Sequence, residues 1–322
     1  MHMRASLFKD NFREIVKSPN RFISIFLIVA LGTAFFAGIK AAAPDMKATA
    51  DAYYDDHNMM DIRVLSTMGL TDGDIEAMRQ VEGVNTVQAS YFTDVVTTID
   101  SSEFVYRIHA LPADALKSGS SNYLNKPDII EGRLPQKSGE CIIESLKVID
   151  LGLRIGDVIT VSSGKKEDLS EVLATDTFTV VGIARTPYYL TYDKDASDIG
   201  SGKVNFFMMI LSTDFVYPVY TEALITVNGA NDLNSYSTVY QKLIDRTASK
   251  LDNVVSERSV VRLAELKAMA LAQLDEAKAD LAAKEADLDK QIADGQAKLD
   301  AAQDKLIGGQ ATLETEKKNY DA

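Results

Sequence analysis

The chain has 322 residues and one cysteine, with 34 Lys and Arg against 47 Asp and Glu, for a formal net charge of −13. Nucleic-acid binding requires a basic face for the phosphates, so this acidic balance excludes nucleic acid as a partner. A single cysteine, Cys141, excludes an internal disulfide; we expect a small buried hydrophobic side chain there, a reactive thiol being the alternative.

The most apolar segment, residues 22–39, predicts one transmembrane helix. It runs from Phe22 to Ile39 without a charge, and its 18 residues at about 1.5 Å each span roughly 27 Å, close to a bilayer core of ~30 Å. Gly32 and Gly38 are common in membrane helices, where they allow close helix approach. A signal peptide and a buried soluble helix are the alternatives; the long apolar run, which begins only after 21 residues, favours the span.

The segment before this span, residues 1–21, predicts a basic amphipathic helix. Over residues 5–17, Phe8, Phe12 and Ile15 fall on one face at helical spacing, and Arg13 lies elsewhere. A basic flank that only sets topology is the alternative. Because cations are concentrated before the span, the positive-inside rule predicts a cytoplasmic N-terminus and an extracytoplasmic location for the bulk of the chain.

After the span we predict a stalk helix over 40–58 and an α+β core over 59–234. Thr71 is the predicted N-cap of a short helix at 74–80. Within the core, 112–220 is predicted to form a β-rich insert, a small barrel or sandwich, because short strand candidates recur between glycine-containing turns. The strand candidates are 59–67, 84–99, 104–111, 140–145, 157–163, 177–184, 204–211 and 221–229. Strands and helices do not alternate regularly, which favours α+β over α/β.

Residues 235–322 predict a long helix that forms half of a coiled-coil hairpin. Apolar residues recur every seven positions in two offset series. The predicted seam consists of Leu274, Leu281, Leu288, Ile292, Leu299, Leu306 and Leu313. The companion positions are small or polar, which suits close antiparallel packing against a returning helix. A single helix held by charge pairs four residues apart is the alternative.

No segment of the sequence has the residue pattern of a catalytic, cofactor or metal site. The stretch before Lys203 lacks the phosphate-loop spacing, since Ser197 and Val204 stand at required positions. Asp193 to Asp198 begins like a calcium loop but lacks its glycine and its final Glu. An aromatic loop, 186–192, is predicted to pack within the insert, contact with a ligand, partner or membrane being the alternative. We therefore expect no enzyme activity and no cofactor.

Several segments resemble FtsX-like and MacB-like ABC transporter permeases, in the subgroup with an extracellular coiled-coil insertion. The resemblance is carried by RFISIFLIVALGTAFFAGIKAAAPDMKATADAYYDDHNMMDIRVLSTMGLT, EGRLPQKSGECIIE, LRIGDVITV, FTVVGIARTPYY and YTEALITVNGA. It implies a MacB-like core of βαβ-type units with a β-rich insert, in a permease subunit of a bacterial cell membrane. Family members have several more membrane helices, so we expect this chain to be the N-terminal part of a longer protein.

The resemblance also implies partners. It implies a separate cytoplasmic ABC ATPase, near which Phe8, Phe12, Arg13 and Ile15 would lie, a dimer of permeases, and membrane lipid. The coiled coil implies a possible extracellular protein partner. ATP hydrolysis would then drive extracytoplasmic motion through the stalk and arm. The alternatives are a single-span receptor with a helical signalling rod and a surface coiled-coil scaffold.

Overall fold

The computed structural model describes residues 12–99, 101–145, 152–165, 168–190 and 194–321. It confirms the predicted fold class, because helices and two sheets are combined without regular strand–helix alternation. The chain divides into two compact units, Met1–Val255 and Ser256–Ala322. The first unit holds both sheets, and the second consists of the distal part of one long helix.

The first long helix, α1, is Pro19–Asp56. Residues 12–17 are also helical, and the helix is interrupted at Ser18. Proline at the first turn of α1 suits the helix start, because its missing N–H would have no partner there. The predicted span and most of the predicted stalk lie in this one helix, which continues through Pro44.

The remaining elements follow in chain order. They are β1 (Ile62–Leu70), α2 (Asp72–Arg79), β2 (Val84–Ser90), β3 (Phe92–Ile99), β4 (Ser102–Leu111), α3 (Ala113–Lys117), β5 (Asp128–Gly132), β6 (Glu140–Glu144), β7 (Val158–Thr160), β8 (Thr177–Arg185), β9 (Phe206–Leu211), β10 (Tyr220–Val227) and α4 (Thr238–Tyr320). Thr71 caps α2 as predicted, in a capping box with Asp74 that satisfies two backbone donors at the helix start.

The three-stranded sheet has the order β1-β10-β2. Both outer strands run antiparallel to β10, so β1, α2 and β2 form a βαβ unit with β10 inserted between its strands. One face of this sheet packs on α2 and on the first turns of α4. That core contains Leu70, Ile75, Met78, Val81, Val87, Ala223, Ile225 and Leu251.

The larger sheet forms a small barrel, which is one of the two architectures that the sequence predicts for the β-rich insert. Its strand order is β3-β4-β9-β6-β8, with β7 and β5 both paired to β8. Val96 of β3 and Ser162, just after β7, exchange two backbone hydrogen bonds of 2.8 Å and close the ring. The barrel begins with β3 and β4, which precede residue 112, because β4 pairs in parallel with β9.

The barrel interior is a dry core. The inward side chains alternate along each strand and include Tyr106, Ile108, Cys141, Ile143, Phe178, Val180, Phe206, Met208 and Ile210. Cys141 is fully buried, and burial raises the pKa of its thiol, so it is the inert hydrophobic group that the sequence predicts.

Candidate functional site

The site that joins the two long helices lies where the end of α1 meets the start of α4. Asp51, one turn before the end of α1, accepts hydrogen bonds from Ser235 N and Ser235 Oγ, both at 2.6 Å. Its second oxygen accepts from Asn234 Nδ2 at 2.9 Å. We call these three residues the Asp51 clamp. They tie α1 to the turn that starts α4.

Aromatic and cationic groups reinforce the same contact. The Tyr54 and Tyr236 hydroxyls lie 3.3 Å apart, and Lys47 Nζ lies 5.5 Å from the centre of the Tyr236 ring. Ser237 then accepts a hydrogen bond from Tyr240 N at 3.1 Å, the pattern of a helix N-cap. The turn that receives α1 is therefore itself fixed by local hydrogen bonds.

Asp61 connects this junction to the three-stranded sheet. It accepts 2.7 Å hydrogen bonds from Tyr240 Oη of α4 and from Val227 N of β10. Burial raises the pKa of Asp61, and the two hydrogen bonds partly offset that rise. Burial and the Asp61 carboxylate together raise the pKa of Tyr240, so its hydroxyl remains a donor at neutral pH.

Just after α1, the chain is held by the loop before β5. Asn125 N and Lys126 N donate to the carbonyls of Asn58 and His57, both at 2.9 Å. Asn125 Oδ1 accepts from Met60 N at the same distance. Beside the junction lies a mostly polar cleft of about 470 Å³, lined in part by Tyr54, Asp55, Asn58, Asp61 and Tyr240. Among the described residues no group of three His, Cys, Asp or Glu could hold a metal ion.

The predicted site residues lie apart from this junction. Phe22, Gly32, Gly38 and Ile39 are exposed along α1, which is the one described helix long and apolar enough to cross a membrane; its most apolar window has a mean hydropathy of 2.5. Phe12 and Arg13 are exposed and Ile15 is half-buried in the helical turns before α1, while Phe8 lies outside the described residues.

The predicted seam residues all lie on the distal part of α4. Leu274, Leu281, Leu288, Ile292, Leu299, Leu306 and Leu313 are each 50–69% exposed. Their coiled-coil pairing stays a prediction. Tyr188 and Tyr189 of the aromatic loop pack inward, but the contacts include His109 of β4, which precedes the predicted insert: Tyr189 Oη lies 2.9 Å from His109 Nε2, and the Tyr188 ring stacks on that histidine. Residues 191 and 192 of the loop lie outside the described residues.

Sequence reasoning did not find the Asp51 clamp. Asp51 lies 184 residues from Ser235, and nothing in either local pattern signals the other. The predicted stalk covers one half of the contact, and the start of the predicted arm covers the other. Only the antiparallel pairing of β10 with β1 brings the two ends together.

No protein-family model and no curated protein matches the chain. Among solved structures, the extracellular domain of the noncanonic ABC-type transporter YknZ from Gram-positive bacteria is similar, at 13% identity and a TM-score of 0.31, covering 57% of this chain and 87% of that one. The periplasmic region of MacB from Actinobacillus actinomycetemcomitans is similar at 11% identity and a TM-score of 0.30, covering 62% and 84%. Both are low in identity and in overall superposition.

Proposed function

We propose that this chain is part of the permease subunit of an FtsX/MacB-type ABC transporter and that it transmits motion rather than catalysing a reaction. A separate cytoplasmic ATPase would hydrolyse ATP, and the membrane helix would carry the resulting movement outward. The observation that supports this most is the continuity of α1, which runs unbroken from the apolar residues 22–39 to the Asp51 clamp.

An α-helix is suited to this role because its backbone hydrogen bonds resist stretching and bending. Residues 40–51 add about 18 Å of helix between the predicted span and the clamp, at ~1.5 Å per residue. A shift or rotation of the span would therefore reach the clamp and the adjoining turn of α4. From there Tyr240 and Asp61 would pass it to β10 and the three-stranded sheet.

The partners follow from the same scheme. The exposed Phe12 and Arg13 would lie at the cytoplasmic surface, near the ATPase and the lipid headgroups. The exposed seam of α4 would take a helical partner, either a returning helix or an extracellular protein. Two such permease subunits would act as a dimer.

The experiment is an insertion of a flexible Gly/Ser linker at residues 44–47 of the protein assembled with its ATPase. The readout is the ATP-dependent change in hydrogen exchange of residues 234–245, measured by mass spectrometry. The same linker in the exposed turn at 118–120 is the matched control. We expect the ATP response to be lost only with the 44–47 insertion while the ATPase remains bound; an unchanged response would refute transmission through α1.

A further inference from the structure

A second polar cluster is buried where the three-stranded sheet packs on the outside of the barrel. Arg63 of β1 and Glu222 of β10 come from the sheet, and Arg63 Nε donates to Glu222 Oε2 at 2.6 Å. His109 comes from β4, where its neighbour Ile108 faces the barrel interior. The Glu222 and His109 side chains are 0% and 1% exposed, so this contact is dry.

The charges around His109 are already paired with one another. Arg107 donates to both oxygens of Asp94, at 2.6 and 2.8 Å, and to Asp195 at 2.6 Å. Arg63 Nη1 lies 3.6 Å from the same Asp195 carboxylate, in addition to its bond with Glu222. A proton on His109 would therefore place a third cation in a buried site beside two arginines, where Glu222 Oε1, 4.0 Å from His109 Nδ1, is the facing carboxylate oxygen.

His109 itself is half satisfied. Its Nε2 is paired with Tyr189 Oη at 2.9 Å, and its ring stacks on Tyr188 with centroids 4.3 Å apart. Its Nδ1 lies 4.0 Å from Glu222 Oε1, and neither atom has a hydrogen-bond partner among the described residues. Arg63 Nη2 also has no hydrogen-bond partner among the described residues. Buried polar networks that are only partly hydrogen-bonded are destabilising, so the closed contact has little excess stability.

The groups that face His109 decide its protonation. Glu222 of β10 favours the charged form, Arg63 of β1 and Arg107 of β4 oppose it, and the two tyrosines of the loop after β8 contribute no charge at neutral pH, since burial raises the pKa of both. Burial is the largest influence, and the net effect lowers the pKa of His109. For Glu222 burial acts to raise the pKa; while His109 is neutral, the opposing cation is Arg63, whose Nε donates to Oε2 at 2.6 Å and keeps the carboxylate ionised.

We propose that His109, Glu222 and Arg63 form an acid-sensitive latch, which holds the three-stranded sheet against the barrel and releases it when His109 takes up a proton from solvent. In the closed contact the added charge has no water, and Arg63 and Arg107 oppose its attraction to Glu222. Opening the contact hydrates the imidazolium. The closed form is fully favoured above the ordinary histidine pKa of about 6.5 and loses stability as the pH falls below it.

The test is a distance measurement by double electron–electron resonance on the full chain in detergent. Spin labels are placed at Glu76→Cys on α2 and Ser201→Cys beside the barrel, both exposed positions; the native Cys141 is 0% exposed and stays unlabelled. If only the open form takes the proton, the open-to-closed ratio rises up to about 30-fold between pH 7.5 and pH 5.0. An identical distance distribution at both pH values would overturn the latch.

Variants separate His109 from other acid effects. His109→Gln keeps a polar group beside Tyr189 but does not titrate, so it should abolish the pH response. His57→Gln, at a histidine outside the latch, should leave it intact. The latch is refuted if His109→Gln opens over the same pH range as the unmodified chain.

A second measurement tests the latch even if His109→Gln does not fold. The chain has only three histidines, so selective isotope labelling of histidine resolves each one by NMR. The pH midpoint of the distance change must coincide with the midpoint of the His109 signal. A distance change while His109 stays neutral would overturn the proposal.

Discussion

Replacing Asp51 tests the junction between α1 and α4. Asp51→Ala removes the carboxylate that accepts hydrogen bonds from Asn234 Nδ2, Ser235 N and Ser235 Oγ, at 2.6–2.9 Å. A hydrogen bond to a charged group contributes about 1.5–3 kcal/mol when buried, but this site is only half-buried and water can replace part of the loss. The loss of a helix-capping side chain, about 0.5–2 kcal/mol, is the better guide, and we take about 2 kcal/mol.

The assay is hydrogen exchange of residues 234–245 in the full chain in detergent. Because each 1.4 kcal/mol is about tenfold in an equilibrium, 2 kcal/mol predicts roughly 30-fold faster exchange through local opening. Asp51→Asn keeps one of the two acceptor oxygens and should give about a fivefold acceleration, from a loss of roughly 1 kcal/mol in charge assistance and hydrogen bonding.

Asp56→Ala is the matched control, because Asp56 ends the same helix, is exposed, and forms no side-chain hydrogen bond or ion pair within the described chain. Exposed substitutions of this kind stay within about 0.5 kcal/mol, or roughly twofold in exchange. Equal acceleration by Asp51→Ala and Asp56→Ala would refute the argument that the clamp, rather than the helix end in general, holds the junction.

Further predictions concern stability of the folded chain. Tyr240→Phe removes a hydrogen bond that lowers the pKa of Asp61. Because burial raises the pKa of Asp61 in the folded chain, the stability that its protonated form contributes is full at low pH and is lost as the pH rises through the folded pKa. The variant should raise that pKa further, so denaturation curves should show the loss of stability at higher pH. The pKa of Glu140 is lowered to about 2, chiefly by its hydrogen bonds with Arg133, so stability should fall between about pH 4.5 and 2, and Arg133→Met should weaken that dependence. Gly182→Ala should destabilise the barrel markedly, because a Cβ there would collide with the Arg133 carbonyl oxygen. Gly295→Ala, on the exposed part of α4, should stabilise the helix by about 1 kcal/mol if no partner approaches closely there. Thermal unfolding followed by circular dichroism measures both effects.

Local patterns predicted much of the fold because the forces behind them are local. The apolar run of α1, the Thr71 cap and the alternation in strands such as β8 depend on neighbours within a few residues, and each lies close to its predicted position. The cap is identifiable in sequence because a hydroxyl followed three residues later by a carboxylate satisfies two helix donors at once.

The order of the strands was not predictable in the same way. β10 inserts between β1 and β2, and β3 and β4 join the barrel although β2 and β3 are separated only by Tyr91. Which strands pair depends on the apolar faces of all the strands together, and local sequence patterns do not specify which strand lies beside which. The Asp51 clamp and the His109 contact depend on those pairings, so no local signal could have identified either.

Affinity purification of the native protein in detergent, with mass spectrometry and an ATPase assay of what accompanies it, tests whether this chain works with an ABC ATPase. We expect an ABC ATPase in stoichiometric amount, and we expect it to be lost when residues 5–17 are deleted. Purification of the intact protein without any ATPase would contradict this expectation.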